Sequence, residues 1–460
     1  MLYRLLRVIA SIALRWYYAE IAVQGAGRAP RRGPLLLVAN HPNALVDPLL
    51  VGTALPRRVM LTAKATLFEN PALSALLHAA GVVPLRRAKD EDPGRPGEVG
   101  VDRNALAFRS VTAALRRGGT VLIFPEGISH DAPTIAPLRT GAARIVLQAH
   151  SEGVRGIAML AIGLIYEEKE RPNSDVLVRV GAPLMLDAWL AAHGEDDVTA
   201  LTHALDSQLR EVTLNFATAE RAVRAVRLAH ILSALATDPV PVERPRSLDA
   251  EAELARRIDR ATTALATAPQ EVTHAADVLS ARLDVLEREL DRQGIALEDV
   301  RISVRWTDGI RFLLREGMIV LLFAVPLILG RLAHWIPIRS ARAIALRSLR
   351  RDSSRDQPAM RTIIFGLAAL VVWYTLLFVI LDRLVGLPGA LGWLLAIFAS
   401  AHVRRLGEGR LRRAVRRART FLALRANGAL QQQLVAEFDA LVAQAVSLEH
   451  ALLQQGSARP

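Results

Sequence analysis

Between Thr362 and Leu381 the chain runs for twenty residues without a charge, and a helical bilayer crossing needs about 20 predominantly apolar residues. A soluble core helix of that length would need more apolar surface around it than a typical domain supplies. Leu384–Ala401 is uncharged for a further eighteen residues, although it contains Pro388 and glycines. Arginines between 339 and 361 precede the pair, and eight arginines lie between 404 and 419 after it. Basic flanks at both ends predict a transmembrane hairpin over 362–401 with both ends cytoplasmic and only about Asp382-Arg383 outside. An earlier segment, 317–336, has fourteen uncharged residues before Arg331 and contains Pro326. It is too short to span and is expected to be interfacial or re-entrant, which makes 301–403 the membrane region.

The rest of the chain is of a different kind. Apolar runs at 35–39, 58–63, 81–85, 120–124, 157–165 and 176–180 have strand character, with helical patterns at 71–79, 102–117 and 139–151. Strands alternating with helices predict an α/β domain over 19–185, a mostly parallel central sheet covered by helices. Residues 1–18 mix Arg4, Arg7 and Arg15 with aliphatics at helical spacing, as in an interfacial helix. A helical extension follows over 186–300, with a linker near 238–247 and the stretch 212–232 extending the catalytic part. Leucines of 272–290 and of 434–452 recur at alternating four and three spacing. The expectation is that these two helices pair, the second closing a basic, heptad-patterned region, 404–460.

Ligands on parallel sheets gather beyond the carboxyl ends of the strands. Three such ends carry chemistry. Leu35–Ala39 empties into Asn40-His41-Pro42, with Asp47-Pro48 six residues on; Asp47 is expected to cap a helix from Pro48 to about Ala54. The run GVVPLRR ends at Arg87, and VLIFPEG ends at Glu126-Gly127. An imidazole in a turn that doubles back can meet the later carboxylate as a His–Asp dyad, His41 taking a proton from a hydroxyl and Asp47 fixing its tautomer.

In order and spacing, NHPNALVD, GVVPLRR, FPEG and IAMLAIGLIY resemble the four motifs of the glycerolipid acyltransferases, the family of glycerol-3-phosphate and lysophosphatidic acid acyltransferases. The resemblance covers roughly residues 20–183. It implies His41 and Asp47 as the catalytic pair, and Asn40, Arg87, Glu126, Gly127 and Arg139 as substrate-binding residues. Arg87 suits a phosphate, and Glu126 the acceptor's free hydroxyls or the orientation of Arg87 or Arg139. Backbone N–H groups around Glu126-Gly127 would help hold an anion. Three features depart from the common pattern. Five residues rather than four separate His41 from Asp47, as in the branch with fungal-type glycerol-3-phosphate acyltransferases. Ala161 replaces a proline in the fourth motif. Ile128-Ser129-His130 lacks the arginine usual after FPEG, a role Arg139 is placed to take. His130 and His150 are expected at the surface or in support of the site.

The implied reaction moves a fatty acyl group from an acyl-CoA or acyl carrier protein thioester to glycerol 3-phosphate, or alternatively to lysophosphatidic acid or another lysophospholipid. The alternative of another class is an inactive membrane scaffold that keeps the fold. No GxSxG elbow, glycine-rich phosphate loop, metal-ligand spacing or cysteine is present, so direct transfer without a bound cofactor or metal is expected. Lysine and arginine exceed the acids by thirteen. The basic stretch 404–419 lacks interleaved aromatics and abuts an apolar segment, so anionic membrane lipid rather than nucleic acid is the expected partner. The compact layout, with no eukaryotic retention signal, leans toward a bacterial inner membrane with the catalytic domain cytoplasmic.

Overall fold

A computed structural model describes residues 2–64, 68–69, 71–85, 101–194, 197–235, 247–265, 268–347 and 357–457. The chain divides into two compact units, Met1–Asn215 with Ser340–Ala369, and Phe216–Arg339 with Leu370–Pro460. Arg87 and nearly all of the linker expected at 238–247 lie outside the described residues.

The first unit begins with α1 (Leu2–Tyr17), which lays Ala10, Leu14 and Tyr17 into the core and leaves Leu5, Val8 and Ile12 exposed. Strands follow at β1 (Ile21–Gln24), β2 (Leu35–Ala39), β3 (Val59–Met60), β4 (Thr62–Lys64), β5 (Val83–Leu85), β6 (Thr120–Ile123), β7 (Ala158–Tyr166) and β8 (Val176–Met185). Six of them form a sheet in the order β1-β8-β7-β2-β6-β3, parallel throughout except for the β7–β8 pair. The run expected as one strand over 58–63 is divided between two sheets: β4 leaves the main sheet to pair in parallel with β5. Strand β1 was not among the expected elements; it is a short edge strand held by β8.

Helices α2 (Val46–Ala54), α3 (Pro71–Ala80), α4 (Val101–Arg116), α5 (Gly141–Ser151), α6 (Leu186–His193) and α7 (Val198–Val212) complete this unit. At its centre β2 is buried along its whole length. Because side chains alternate across a strand, Leu36 and Val38 enter one core with α4, α5 and α7, and Leu35, Leu37 and Ala39 enter the other with α1 and α2. One close approach is set by glycine: a Cβ on Gly163 of β7 would stand 2.0 Å from the Val212 carbonyl oxygen at the end of α7. The helical stretch expected across 212–232 is broken, since α7 ends at Val212 and α8 (Ala219–Leu235) starts afresh.

In the second unit, α9 (Leu248–Leu265) packs on α8, where Arg221 bonds Asp259. Helix α10 (Gln270–Gln293) and α13 (Gly428–Ser457) meet along Leu279, Leu283, Leu286 and Leu290 facing Leu434, Phe438 and Leu441. This is the pairing expected from their spacing, and an Arg282–Glu437 ion pair flanks it. Among the described residues two helices are long and apolar enough to cross a bilayer by length and composition, α11 (Trp306–Arg347) and α12 (Gln357–Ala426). Helix α11 passes unbroken through Pro326, so 317–336 contains no re-entrant turn.

Gly386 breaks α12 with φ 73° and ψ 170°, a conformation essentially reserved for glycine. Tyr374, before the break, bonds His334 of α11. Ser400, after it, lies where a Cβ on Gly330 would come within 2.4 Å of its carbonyl oxygen. On a straight helix Tyr374 and Ser400 would be about 39 Å apart, whereas His334 and Gly330 are one turn apart. The chain therefore reverses at Gly386, as a hairpin whose tip falls just beyond the expected Asp382-Arg383.

Candidate active site

Strands β2, β6 and β7 are adjacent and parallel, so their carboxyl ends open on one edge of the sheet. His41 lies two residues past β2 and is followed by Pro42, which disfavours helical backbone before it. The chain then turns through Ala44, a non-glycine residue at φ 34°. Asn43 accepts the Val46 N–H at 2.9 Å to start α2. This reversal brings Asp47 back to His41, with Nδ1 2.8 Å from Oδ2. Asp47 does not cap the helix as expected. Leu45 holds that place, and Asp47 sits in the first turn, fully buried. A carboxylate there is favoured by the helix dipole.

Four groups converge on the dyad. Asp47 Oδ2 also accepts the Asn43 N–H at 2.7 Å, and Oδ1 accepts the Tyr166 hydroxyl at 2.5 Å from the end of β7. Asn43 Nδ2 in turn donates to the Tyr18 hydroxyl. The His41 ring stacks on Phe124, centroids 4.0 Å apart, just past β6. Since an ionised carboxylate only accepts, Nδ1 of neutral His41 carries the proton and Nε2 keeps its lone pair. Burial, then the Asp47 charge, raises the Tyr166 phenol well above its ordinary range, so it remains a donor at neutral pH. Burial likewise raises Tyr18.

Other residues expected to face substrate are engaged by the chain itself. Asn40 exchanges two hydrogen bonds with the Leu164 backbone, 3.0 and 2.7 Å, which extends the β2–β7 ladder beyond Ala39. Glu126 is buried and accepts the His41 N–H on Oε1 at 2.9 Å and the Ala136 N–H on Oε2 at 2.7 Å. His130 donates to the same Oε2 through Nε2, because its Nδ1 accepts the Ala132 N–H. The Gly127 N–H is committed to the Phe124 carbonyl at 3.1 Å. Gly127 itself is left-handed, φ 72°, and a Cβ there would meet Arg139 Nε at 2.7 Å. The exposed Arg139 guanidinium therefore lies over Gly127. It has no carboxylate partner among the described residues.

Tyr166, Tyr18, Asn43 and Lys169 were not singled out in the sequence. Lys169 donates to the Pro42 carbonyl at 2.7 Å and pairs with Asp131, tying the turn to the loop after β6. Tyr166, at the end of the fourth motif, carried the one available signal: a polar aromatic closing an otherwise apolar strand. Among the described residues no three His, Asp or Glu side chains are grouped to hold a metal ion.

Residues 20–164 match the family model described as Acyltransferase. An uncharacterized acyltransferase of Schizosaccharomyces pombe is 23% identical over 39% of this chain and 38% of that protein. Glycerol-3-phosphate O-acyltransferase 2 of Saccharomyces cerevisiae is 31% identical over 24% of this chain and 16% of that protein. The 1-acyl-sn-glycerol-3-phosphate acyltransferase alpha of Mus musculus is 26% identical over 46% and 70%, respectively. The chain thus spans well under half the length of the two fungal proteins. A solved structure, the 1-acyl-sn-glycerophosphate (LPA) acyltransferase PlsC of Thermotoga maritima, aligns at 17% identity over 46% of this chain and 78% of that one, with a TM-score of 0.35.

Proposed function

Since residues 20–164 match the Acyltransferase family model, we propose that the chain transfers a fatty acyl group from a thioester to the hydroxyl of glycerol 3-phosphate. The observation that carries this is the 2.8 Å contact between His41 Nδ1 and the buried Asp47 carboxylate. It leaves Nε2 as the base.

His41 Nε2 takes the hydroxyl proton as the acceptor oxygen attacks the thioester carbonyl. Asp47 stabilises the imidazolium that forms. The tetrahedral intermediate collapses, the C–S bond breaks, and the thiolate recovers the proton from Nε2. The product is an ester and a free thiol, on coenzyme A or a carrier protein. Arg139, with Arg87 on the strength of its motif, is assigned to the acceptor phosphate; a guanidinium fork can bind two of its oxygens. Asn40 and Glu126 act through the backbone, holding the His41 turn on the sheet. The five-residue spacing from His41 to Asp47 resembles that of the fungal-type glycerol-3-phosphate acyltransferases and so supports glycerol 3-phosphate as acceptor. Acylation of lysophosphatidic acid is the second reading, supported by the likeness to the mammalian enzyme over 70% of its length.

The apolar surface of the second unit supports membrane attachment. Leu321 and Val325 of α11 and Val372 and Leu395 of α12 are each about 70% exposed or more, an apolar extent that lipid would cover. In this reading the α12 hairpin crosses the bilayer and both basic flanks stay cytoplasmic, next to anionic lipid. Helix α11, packed along the second arm, enters the same apolar layer. An acyl chain gains about 0.8 kcal/mol per buried methylene, which places the substrate at that surface.

The test offers purified full chain an acyl thioester with glycerol 3-phosphate or with lysophosphatidic acid in separate assays. Lysophosphatidic acid as product supports the first reading and phosphatidic acid the second. His41→Ala is expected to lower the rate about 10³-fold. An unchanged rate would remove His41 as the base, and no turnover in the parent with either acceptor would leave the scaffold reading.

A further inference from the structure

Beyond the second arm of the hairpin, α12 carries a run of arginines whose roles differ. Arg410 is bonded through Nε and Nη2 to Glu316, both at 2.9 Å. Arg416 and Arg417 each give Nε to one oxygen of Asp299, at 3.1 and 3.0 Å, and that carboxylate has no exposed surface. Arg412, Arg416 and Arg419 line one pocket of about 420 Å³ with Leu411, Val415 and Gly294, within the usual span of small-molecule sites. These three arginines recur at four and three residues, so they share a helix face. No carboxylate lines the pocket. Asp299, shared by Arg416 and Arg417, lies just behind it, and the side chains that line the space are cationic or apolar.

The surroundings say what kind of anion fits. Leu411 and Val415 are apolar and well exposed. They add nothing to binding a free phosphate, but they can cover glycerol and the first methylenes of a lipid. Gly309 packs on Phe421, and Glu316 on Arg410, so the arginines stand level with Trp306, Ile310, Leu313 and Leu314 of α11. Those four side chains are more than half exposed, and Arg425 sits 4.5 Å from the centroid of the Trp306 ring. Exposed aliphatics, a tryptophan and guanidinium groups at one level are what a lipid–water interface selects.

We propose that Arg412, Arg416 and Arg419 bind the phosphate of an anionic lipid headgroup, with Leu411 and Val415 against its glycerol. Asp299 holds Arg416 through Nε and so fixes where its guanidinium stands, and the exposed Arg412 and Arg419 close on the phosphate beside it. This rests on the membrane attachment proposed above and is independent of acyl transfer.

The test follows thermal unfolding of the full chain in neutral detergent. The probes are dioctanoyl phosphatidylglycerol, which is neither acceptor nor product of the proposed reaction, dioctanoyl phosphatidylcholine, and inorganic phosphate. Saturating phosphatidylglycerol is expected to raise the midpoint by about 5 °C, with little change from the other two. Arg412→Ala/Arg419→Ala, which spares the Asp299 anchor, is expected to raise the half-saturating lipid concentration at least about tenfold. Arg419→Gln alone serves if the double variant does not fold, with a smaller rise in the same direction. An equal shift in those variants overturns the proposal. An equal shift with inorganic phosphate makes this a free-phosphate site, and one with phosphatidylcholine removes the anion requirement; either overturns it. His41→Ala is expected to keep the lipid shift. Lost shift in the arginine variants and lost turnover in His41→Ala therefore report separately on the two proposals.

Discussion

Tyr166 donates its phenolic hydrogen to Asp47 Oδ1 at 2.5 Å, while Oδ2 of the same carboxylate meets His41 Nδ1 at 2.8 Å. Each carboxylate oxygen is thus held from a different element, and the plane of the acid is set by β7 as much as by α2. Without the phenol, Asp47 could rotate about its side-chain bonds and His41 would lose a fixed partner.

Tyr166→Phe should therefore slow acyl transfer about 10- to 100-fold, the worth of one hydrogen bond to a charged group. KM for the acceptor should change little. A general loss of fold would instead lower the denaturation midpoint together with the rate. Steady-state kinetics beside a denaturant titration of the same variant separate the two outcomes.

Glu126→Gln tests whether that residue belongs to substrate or to the fold. Its two oxygens receive the His41 and Ala136 N–H groups and His130. An amide supplies one acceptor oxygen and turns its NH₂ toward a donor. The loss should be about 3 kcal/mol of stability, read by denaturant titration in the absence of substrate. Unaltered stability with a raised acceptor KM would instead assign Glu126 to the acceptor hydroxyls.

Gly163→Ala should be among the most damaging small substitutions in the first unit. The added Cβ would lie 2.0 Å from the Val212 carbonyl oxygen. Neither β7 nor the end of α7 is a flexible side chain that can step aside. A loss of about 3 kcal/mol is expected, visible as a lowered denaturation midpoint. Gly141→Ala, where nothing lies within 4 Å of the added Cβ, is the control and should change stability little.

The tyrosines give an alkaline limit. Burial raises the phenols of Tyr17, Tyr18 and Tyr166 above the ordinary value of 10. In the unfolded chain they ionise near pH 10, whereas in the native state they keep their protons. Their contribution is complete below pH 10 and is lost as pH rises from there toward the native values. Stability should fall by about 1.4 kcal/mol per pH unit for each such group in that window. Denaturant titrations at pH 8, 10 and 11, compared with Tyr18→Phe, measure the slope.

The alternation of short apolar runs with helical patterns is a local property, and it located β2, β6, β7 and α5 to within a residue or two. The positions of His41 and Glu126 were legible for the same reason: they follow the ends of β2 and β6, where a parallel sheet presents its chemistry, whereas Asp47 reaches His41 from the first turn of α2. The chain's own spacing also carried the leucine seam between α10 and α13.

Whatever depends on a partner distant in sequence was decided by the tertiary structure alone. Strand β1 is four residues long and exists because β8 holds it. The run at 58–63 is shared between two sheets because β5 offers β4 a second neighbour. Asn40 and Glu126 resemble substrate ligands in the linear chain, yet packing turns them onto the backbones of β7 and the His41 turn. The hairpin reverses at Gly386, where only glycine adopts the required φ and ψ, and the charges at Asp382-Arg383 do not set the bend. By itself the sequence determined which residues could act and where strands and helices would form, because periodicity and turn chemistry are local. Only the fold decided which polar atoms remain free to act, because that depends on which groups from far along the chain reach them first.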